Sequence, residues 1–239
     1  MFAKRPFVTI KIAQSFDGKI AARGGKSRWI TGPESRAFVH RLRSQHDAVL
    51  VGKNTFVLDR PRLSSLQSAN PVWKIILASP DFLPVHNPRL FDAGSQVIFV
   101  VEKKDLKKWL REKSLQNKPC LFLPVSKTKR EGYDLPQLME KLAKIGIKKI
   151  LVEGGGEVFW SFLKNRLADR IYWMIATKVI GGRSAKTSVE GEGFKNPNQA
   201  LEMNVKKVTK LGRDYCFEAT LKGENLKQLS SPRKRGPNK

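Results

Sequence analysis

Residues 150–163 read ILVEGGGEVFWSFL. The apolar run Ile150 to Val152 ends at a carboxylate, Glu153. Three glycines follow, Gly154, Gly155 and Gly156, and then apolar residues at helical spacing, Val158, Phe159, Phe162 and Leu163. A buried run, a turn and an amphipathic helix in that order make one strand–loop–helix unit of an α/β sheet. Glycine is used where backbone must take unusual angles or come close to something. At a helix start it also leaves N–H groups and the positive end of the helix dipole open to a phosphate. The same loop reads equally well as a structural turn.

Working outward, five more segments look like the strand before the glycines: FVTIKIA (7–13), DAVLVG (47–52), WKIILAS (73–79), QVIFVV (96–101) and PCLFLP (119–124), with KKILVE at 148–153. Near-continuous apolar runs of this kind belong to parallel strands buried on both faces. Helical segments lie between them. Thr31-Gly32-Pro33-Glu34 reads as a capping box with Thr31 as N-cap and Glu34 at N3. A helix starts from Asp134, carries Leu135, Leu138, Met139, Leu142 and Ala143 on one stripe, and stops at Gly146. The lysine-rich stretch around 103–113 is a further predicted helix. The last third, RIYWMIATKVIGG (170–182) and NVKKVTKLGRDYCFEATLKG (204–223), reads as strands with a tight turn near Gly212-Arg213-Asp214. The expected fold is α/β: a mostly parallel central sheet with helices on both faces and an antiparallel C-terminal end. One domain over residues 1–224 is expected, followed by a basic, disordered tail at 225–239 ending SSPRKRGPNK.

Composition narrows the function. With 239 residues and 40% hydrophobic content the chain can bury a full core. Its two cysteines, Cys120 and Cys216, both sit in apolar runs, and its three histidines are not clustered. No metal site and no disulfide framework are therefore expected, and a reducing cytoplasm is the expected location. No apolar stretch reaches the roughly 20 residues of a membrane span, and the N-terminus lacks a signal-peptide core. The net charge of +25 raises a nucleic-acid reading. The basic residues are spread along the chain rather than gathered, which is the pattern of a solvated basic surface. Such a surface also attracts phosphorylated substrates and dinucleotides.

A second loop suited to phosphate follows another strand, VGKNTFVL at 51–58, with Gly52, Lys53 and Thr55 at a helix start. Neither loop is a classical dinucleotide fingerprint or a P-loop. Lys11 lies inside a strand, Asp17-Gly18 looks like a turn, and Ser27-Arg28-Trp29 precedes the first helix. Periodicity does not choose between structural and functional readings of these residues.

Taken together, three longer blocks do choose: VTIKIAQSFDGKIA, SRWITGPESRAFVHRLRSQHDAVLVGKNTFVLDRPRL, and ILVEGGGEVFWSFLKNRLADRIYWMIATKVIGG. In this order and spacing they resemble the reductase domain of riboflavin biosynthesis, the C-terminal half of the bifunctional deaminase–reductase, over roughly residues 6–222. The resemblance implies a dihydrofolate-reductase-like fold. It implies NADPH-dependent reduction of the ribose of a phosphoribosylamino-pyrimidine to ribityl. Lys11 and Glu153 are then the catalytic candidates, with Glu153 also facing substrate. The cofactor positions are Gln14, Trp29, Lys53, Thr55, Asp59, Ser79, Gly154, Gly155, Gly156, Glu157 and Ser161, with Lys53 assigned to the 2′-phosphate. The substrate positions are Ser27, Arg43 and Leu63, and a guanidinium fork suits phosphate oxygens.

There are departures. The family continues D-D-P-x-L with an arginine three residues on, whereas this chain has DRPRLSSLQSAN, with Arg60 and Leu66 at the changed positions. The deaminase zinc signature occurs nowhere in the sequence, so a deaminase on another chain is expected. Alternatives are a same-fold reductase taking the un-deaminated diamino-pyrimidinone or a pterin-like compound, and a basic nucleic-acid-binding protein on a decayed reductase scaffold. The resemblance also implies a homodimer.

Overall fold

All six apolar runs form strands, and these strands pair in parallel. In the computed structural model the described residues are 5–64, 72–79, 88–91, 94–128 and 132–223. The strands are β1 (Phe7–Gln14), β2 (Ala48–Gly52), β3 (Trp73–Leu77), β4 (Val97–Glu102) and β5 (Cys120–Val125). A two-stranded ribbon of β6 (Lys127–Thr128) and β7 (Gly132–Tyr133) follows, then β8 (Lys149–Gly154), β9 (Arg170–Ile175), β10 (Met203–Leu211) and β11 (Asp214–Leu221). The helices are α1 (Pro33–Ser44), α2 (Lys53–Asp59), α3 (Leu106–Leu110), α4 (Leu135–Lys144) and α5 (Gly156–Lys164).

Among the described residues the main sheet has the order β10-β11-β9-β1-β8-β2-β3-β4-β5. Only β11 runs against the others, antiparallel to β9 on one side and to β10 on the other, and the two-residue turn Gly212-Arg213 joins it to β10. The chain passes from β1 to β2 over the place later filled by β8. The carboxyl ends of β1, β8 and β2 therefore lie side by side, where open α/β sheets bind ligands.

Period-two alternation divides the sheet between two cores. Val8, Ile10 and Ile12 pack with Leu138, Leu142, Phe159 and Phe162 under α4 and α5. Val49, Val51 and Leu151 pack with Leu42 and Phe56 under α1 and α2, and Trp109 of α3 joins them. Helices thus cover both faces, as expected. Lys11 and Glu153 fall on the α1 face by the same alternation. Lys11 is not an edge residue, because β1 is paired with β8 on one side and β9 on the other.

Two local expectations are corrected. The capping box at Thr31 does not form: α1 starts at Pro33 with Gly32 as N-cap and no local side-chain cap. The cap comes from the β10–β11 turn, where Asp214 Oδ2 accepts from Gly32 N–H and from Ser35 Oγ, each at 2.6 Å. A tertiary acceptor has displaced the local one. The lysine-rich helix around 103–113 is reduced to α3 between single 3₁₀ turns at 103–105 and 113–115. Only Trp109 of α3 and Leu115 beyond it are buried there, too few anchors for a longer helix. The expected tail at 225–239 and the Leu66 departure lie outside the described residues. No helix among the described residues is long and apolar enough to cross a membrane, and no group of three or more His, Cys, Asp or Glu stands ready for a metal.

Candidate active site

The register of β8 builds the centre of the site. Leu50 of β2 sits opposite Val152, but its neighbour Val51 sits opposite Gly154, so Glu153 is skipped. Alternation already puts Glu153 on the α1 face, and the bulge leaves it without a register partner on β2. Glu153 turns toward α1, where Arg43 grips it with both arms: Nε to Oε1 at 2.6 Å and Nη2 to Oε2 at 2.8 Å. On the β1 side Lys11 Nζ lies 3.3 Å from Glu153 Oε2. All three side chains are largely buried. Burial alone would raise the Glu153 pKa, but the charges of Arg43 and Lys11 and their hydrogen bonds overcome it and hold the pKa at about 2. In return, burial works against the Arg43 cation, and the Glu153 carboxylate more than offsets this and raises its pKa.

A second carboxylate behaves oppositely. Asp59, at the end of α2, accepts a hydrogen bond from Ser27 Oγ, and Arg28 Nη2 donates to the Asp59 carbonyl at 2.9 Å. Burial raises the Asp59 pKa, against the Ser27 hydrogen bond and the charges of Arg28 and Lys11. Lys11 is thus within the electrostatic reach of both acids. One helical turn before Arg43, burial and the Arg43 charge lower the pKa of His40, whose Nδ1 is buried with no hydrogen-bond partner among the described residues.

The glycine loop follows directly. Gly155 has φ 91° and a Cβ there would stand 3.2 Å from Thr55 Oγ1 of α2, so the two phosphate-suited loops meet. The other two glycines are demanded by the protein itself. A Cβ on Gly154 would lie 3.1 Å from Val51 Cα, and one on Gly156 would lie 2.9 Å from the Thr187 carbonyl. At these two the approaching groups include β2 and the loop after β9. Beside α5 a cavity of about 520 Å³ is lined by Glu157, Trp160, Ser161, Lys164 and Tyr133 among others. Ser161 Oγ donates to the Glu157 carbonyl at 2.9 Å. At the end of β1, Gln14 is buried and its Oε1 has no hydrogen-bond partner among the described residues.

The fold therefore gathers Lys11, Arg43 and Glu153 into one network, with Ser27 and Asp59 beside it, and Thr55 against Gly155. Lys53 opens α2 and Ser79 lies just past β3. Trp29 is exposed, with the Arg36 guanidinium 4.4 Å above its ring. Leu63 is the outlier: at φ 53° its side chain is buried in the core under α1 and α2.

The RibD C-terminal domain model matches residues 6–217. The chain belongs to the RibD C-terminal domain family. It is 35% identical over 224 residues to a 2,5-diamino-6-ribosylamino-4(3H)-pyrimidinone 5′-phosphate reductase of Methanothermobacter thermautotrophicus, covering 92% of this chain and 100% of that one. It is 33% identical over 217 residues to the riboflavin biosynthesis protein RibD of Actinobacillus pleuropneumoniae, covering 90% of this chain but 57% of that one. Solved structures share the fold. Acinetobacter baumannii RibD superposes with a TM-score of 0.74 at 24% identity, covering 91% of this chain and 58% of that one. The Saccharomyces riboflavin biosynthesis reductase Rib7 superposes with a TM-score of 0.67 at 23% identity, covering 92% of each.

Two residues near the Lys11–Arg43–Glu153 network do not stand out in the sequence analysis. Arg28 was quoted only as a neighbour of Trp29. His40 had a signal, since it lies one helical turn from Arg43 and so on the same face of α1.

Proposed function

We propose that this chain is an NADPH-dependent reductase of riboflavin biosynthesis that converts the ribosyl group of 5-amino-6-(5-phosphoribosylamino)uracil to ribityl. The observation that carries this is the buried Lys11–Glu153–Arg43 network at the strand ends, one residue from the glycine loop. A second reading, reduction of the un-deaminated diamino-pyrimidinone, is favoured by the name of the archaeal relative that the chain covers end to end. The chain spans just over half the length of the RibD relative.

The residues present fit a nicotinamide dinucleotide. The Gln14 acceptor is buried and unpaired among the described residues, which suits a carboxamide N–H. Gly155 and Thr55, at the starts of α5 and α2, would hold the pyrophosphate. Gly154, Gly156, Glu157, Ser161, Trp29, Asp59 and Ser79 complete the cofactor positions, and Lys53 is assigned the 2′-phosphate. Ser27, Arg43, Glu153 and the Leu63 backbone would meet the substrate. A bound nicotinamide nucleotide supplies the hydride that C1′ of the sugar receives.

Glu153 stays ionised at neutral pH, so it is a counter-charge and not the proton donor. Lys11 is the donor. The lone pair of the exocyclic nitrogen opens the sugar ring, the C1′–O4′ bond breaks, and the Lys11 ammonium gives its proton to O4′. C1′, now the carbon of a cationic imine, takes the hydride, and Lys11 regains a proton from water. Glu153 and Arg43 hold Lys11 and the substrate in place, so positioning and charge are this chain's contribution. A homodimer is part of the same proposal, with the exposed Val205 and Val208 of edge strand β10 as the contact, and the location is cytoplasmic.

The test is NADPH oxidation by purified protein with each of the two phosphoribosylamino-pyrimidines. Turnover of the deaminated compound supports the first reading, and turnover of only the diamino compound supports the second. Turnover of neither would overturn both.

A further inference from the structure

Helix α1 supplies Arg43 from its last turn, yet no local side chain caps its first turn. Gly32 has no side chain and Thr31 does not cap. The acceptor is Asp214, fully buried and 182 residues away from Gly32 in the chain. Its Oδ2 takes both Gly32 N–H and the buried Ser35 hydroxyl at 2.6 Å. Its Oδ1 is buried with no hydrogen-bond partner among the described residues. The turn is fitted to the helix: a Cβ on Gly212 would overlap the Glu34 carboxylate. Stability alone is a poor reason for this arrangement. A local Ser or Thr caps a helix without burying an unpaired oxygen.

Sideways, α1 is seated by Phe38 against Tyr172, ring centroids 5.3 Å apart, and by Leu42 in the core. Along its axis it is held by Asp214. From Ser35 to Arg43 the helix rises about 12 Å. It is a stiff rod, so an axial slip at the cap reappears at the guanidinium. There the two hydrogen bonds to Glu153, at 2.6 and 2.8 Å, tolerate little displacement. We propose that Asp214 is a positioning residue for the reaction: the C-terminal hairpin pins the start of α1 and thereby sets Arg43 on Glu153 and on the substrate. This rests on the reductase reading. The cofactor residues Gln14, Thr55 and Gly155 lie on other elements. Trp29 touches α1 through Arg36, but it is also held from outside the helix by Lys178, whose Nζ donates to the Trp29 carbonyl at 2.7 Å, so the effect falls on the substrate side.

The experiment compares Asp214→Ala, Asp214→Asn and Ser35→Ala with the unaltered protein. Four quantities are read: KM for the phosphorylated pyrimidine, kcat, NADPH affinity by fluorescence quenching, and hydrogen exchange of the Arg43 Nε–H by NMR. Asp214→Ala is expected to raise KM about tenfold, the scale of a lost cap. NADPH affinity stays unchanged and the Arg43 Nε–H exchanges faster. Asp214→Asn keeps an acceptor and stays near wild type, and Ser35→Ala falls between. The proposal is overturned if Asp214→Ala lowers only the melting temperature, or if KM and NADPH affinity worsen together. If Asp214→Ala does not fold, Ser35→Ala decides: unchanged KM and unchanged Arg43 exchange overturn the proposal. Should the unaltered protein reduce neither pyrimidine, the reductase reading fails, while Arg43 exchange in the variants still decides the role of Asp214.

Discussion

In the proposed mechanism Lys11 is the residue on which the chemistry turns, because it stands between a carboxylate held ionised and one whose pKa burial raises. Replacing Lys11 by Met removes the proton donor and keeps the length of the side chain. We expect kcat to fall by at least about a hundredfold, the usual scale of general acid catalysis, with NADPH binding retained. Unchanged turnover would remove Lys11 from the mechanism. Glu153 makes the pH dependence of stability. Its folded pKa, about 2, lies below the ordinary 4.5, so its contribution is complete above about pH 4.5 and is lost as pH falls toward 2. Acid unfolding of Glu153→Gln should show a shallower slope in that window. At Gly155, with φ 91° and Thr55 close by, alanine should cost about 1–3 kcal/mol in stability by denaturant melts and weaken NADPH binding measurably. Full NADPH affinity in Gly155→Ala would count against a pyrophosphate at this loop.

At the level of elements, the join between β1 and β9 is as important as the helices, since Lys11 and Gln14 ride on β1. Asp169, just before β9, accepts from both arms of Arg5 at 2.6 and 2.8 Å and from Val8 N–H at 2.8 Å. One buried carboxylate thus ties the start of β1 to the start of β9 and fixes their parallel register. Arg5 is partly exposed and can turn to water in Asp169→Ala, so the main loss is the acceptor of Val8 N–H. We expect about 2 kcal/mol of destabilisation in urea melts. Because Lys11 and Gln14 lie three and six residues further along β1 than Val8, kcat and KM of the folded fraction should be unchanged. A changed KM would mean that the register itself had slipped.

For the whole molecule, the net charge of +25 acts through solution electrostatics. Any retention on DNA should fall steeply with salt. Deleting 225–239, which carries five Lys and Arg residues and no acid, should reduce it sharply and leave reductase turnover intact. Retention that survives the deletion together with loss of turnover would favour a nucleic-acid role for the folded part. The proposed substrate and cofactor are both polyanions, and the same field would speed their arrival.

The strand runs, the strand–glycine–helix unit, the parallel sheet with an antiparallel end, and the helix from Asp134 were legible in the sequence. They depend on periodicity and on residues a few positions apart. Resemblance placed Lys11, Arg43 and Glu153 on the list but did not say that they touch. Their contact exists only when β1, β8 and α1 are laid side by side, which no local spacing announces. The cap of α1 was misread for the same reason. Thr31 and Glu34 have the right spacing, but the donors at Gly32 and Ser35 had a better acceptor in Asp214, brought there by a hairpin. That Val51 and Thr187 are the neighbours at Gly154 and Gly156 is visible only in the packed molecule. Local spacing determines which elements form. Contacts between residues a hundred or more positions apart decide where those elements stop and which side chains meet, and such contacts have no period to read.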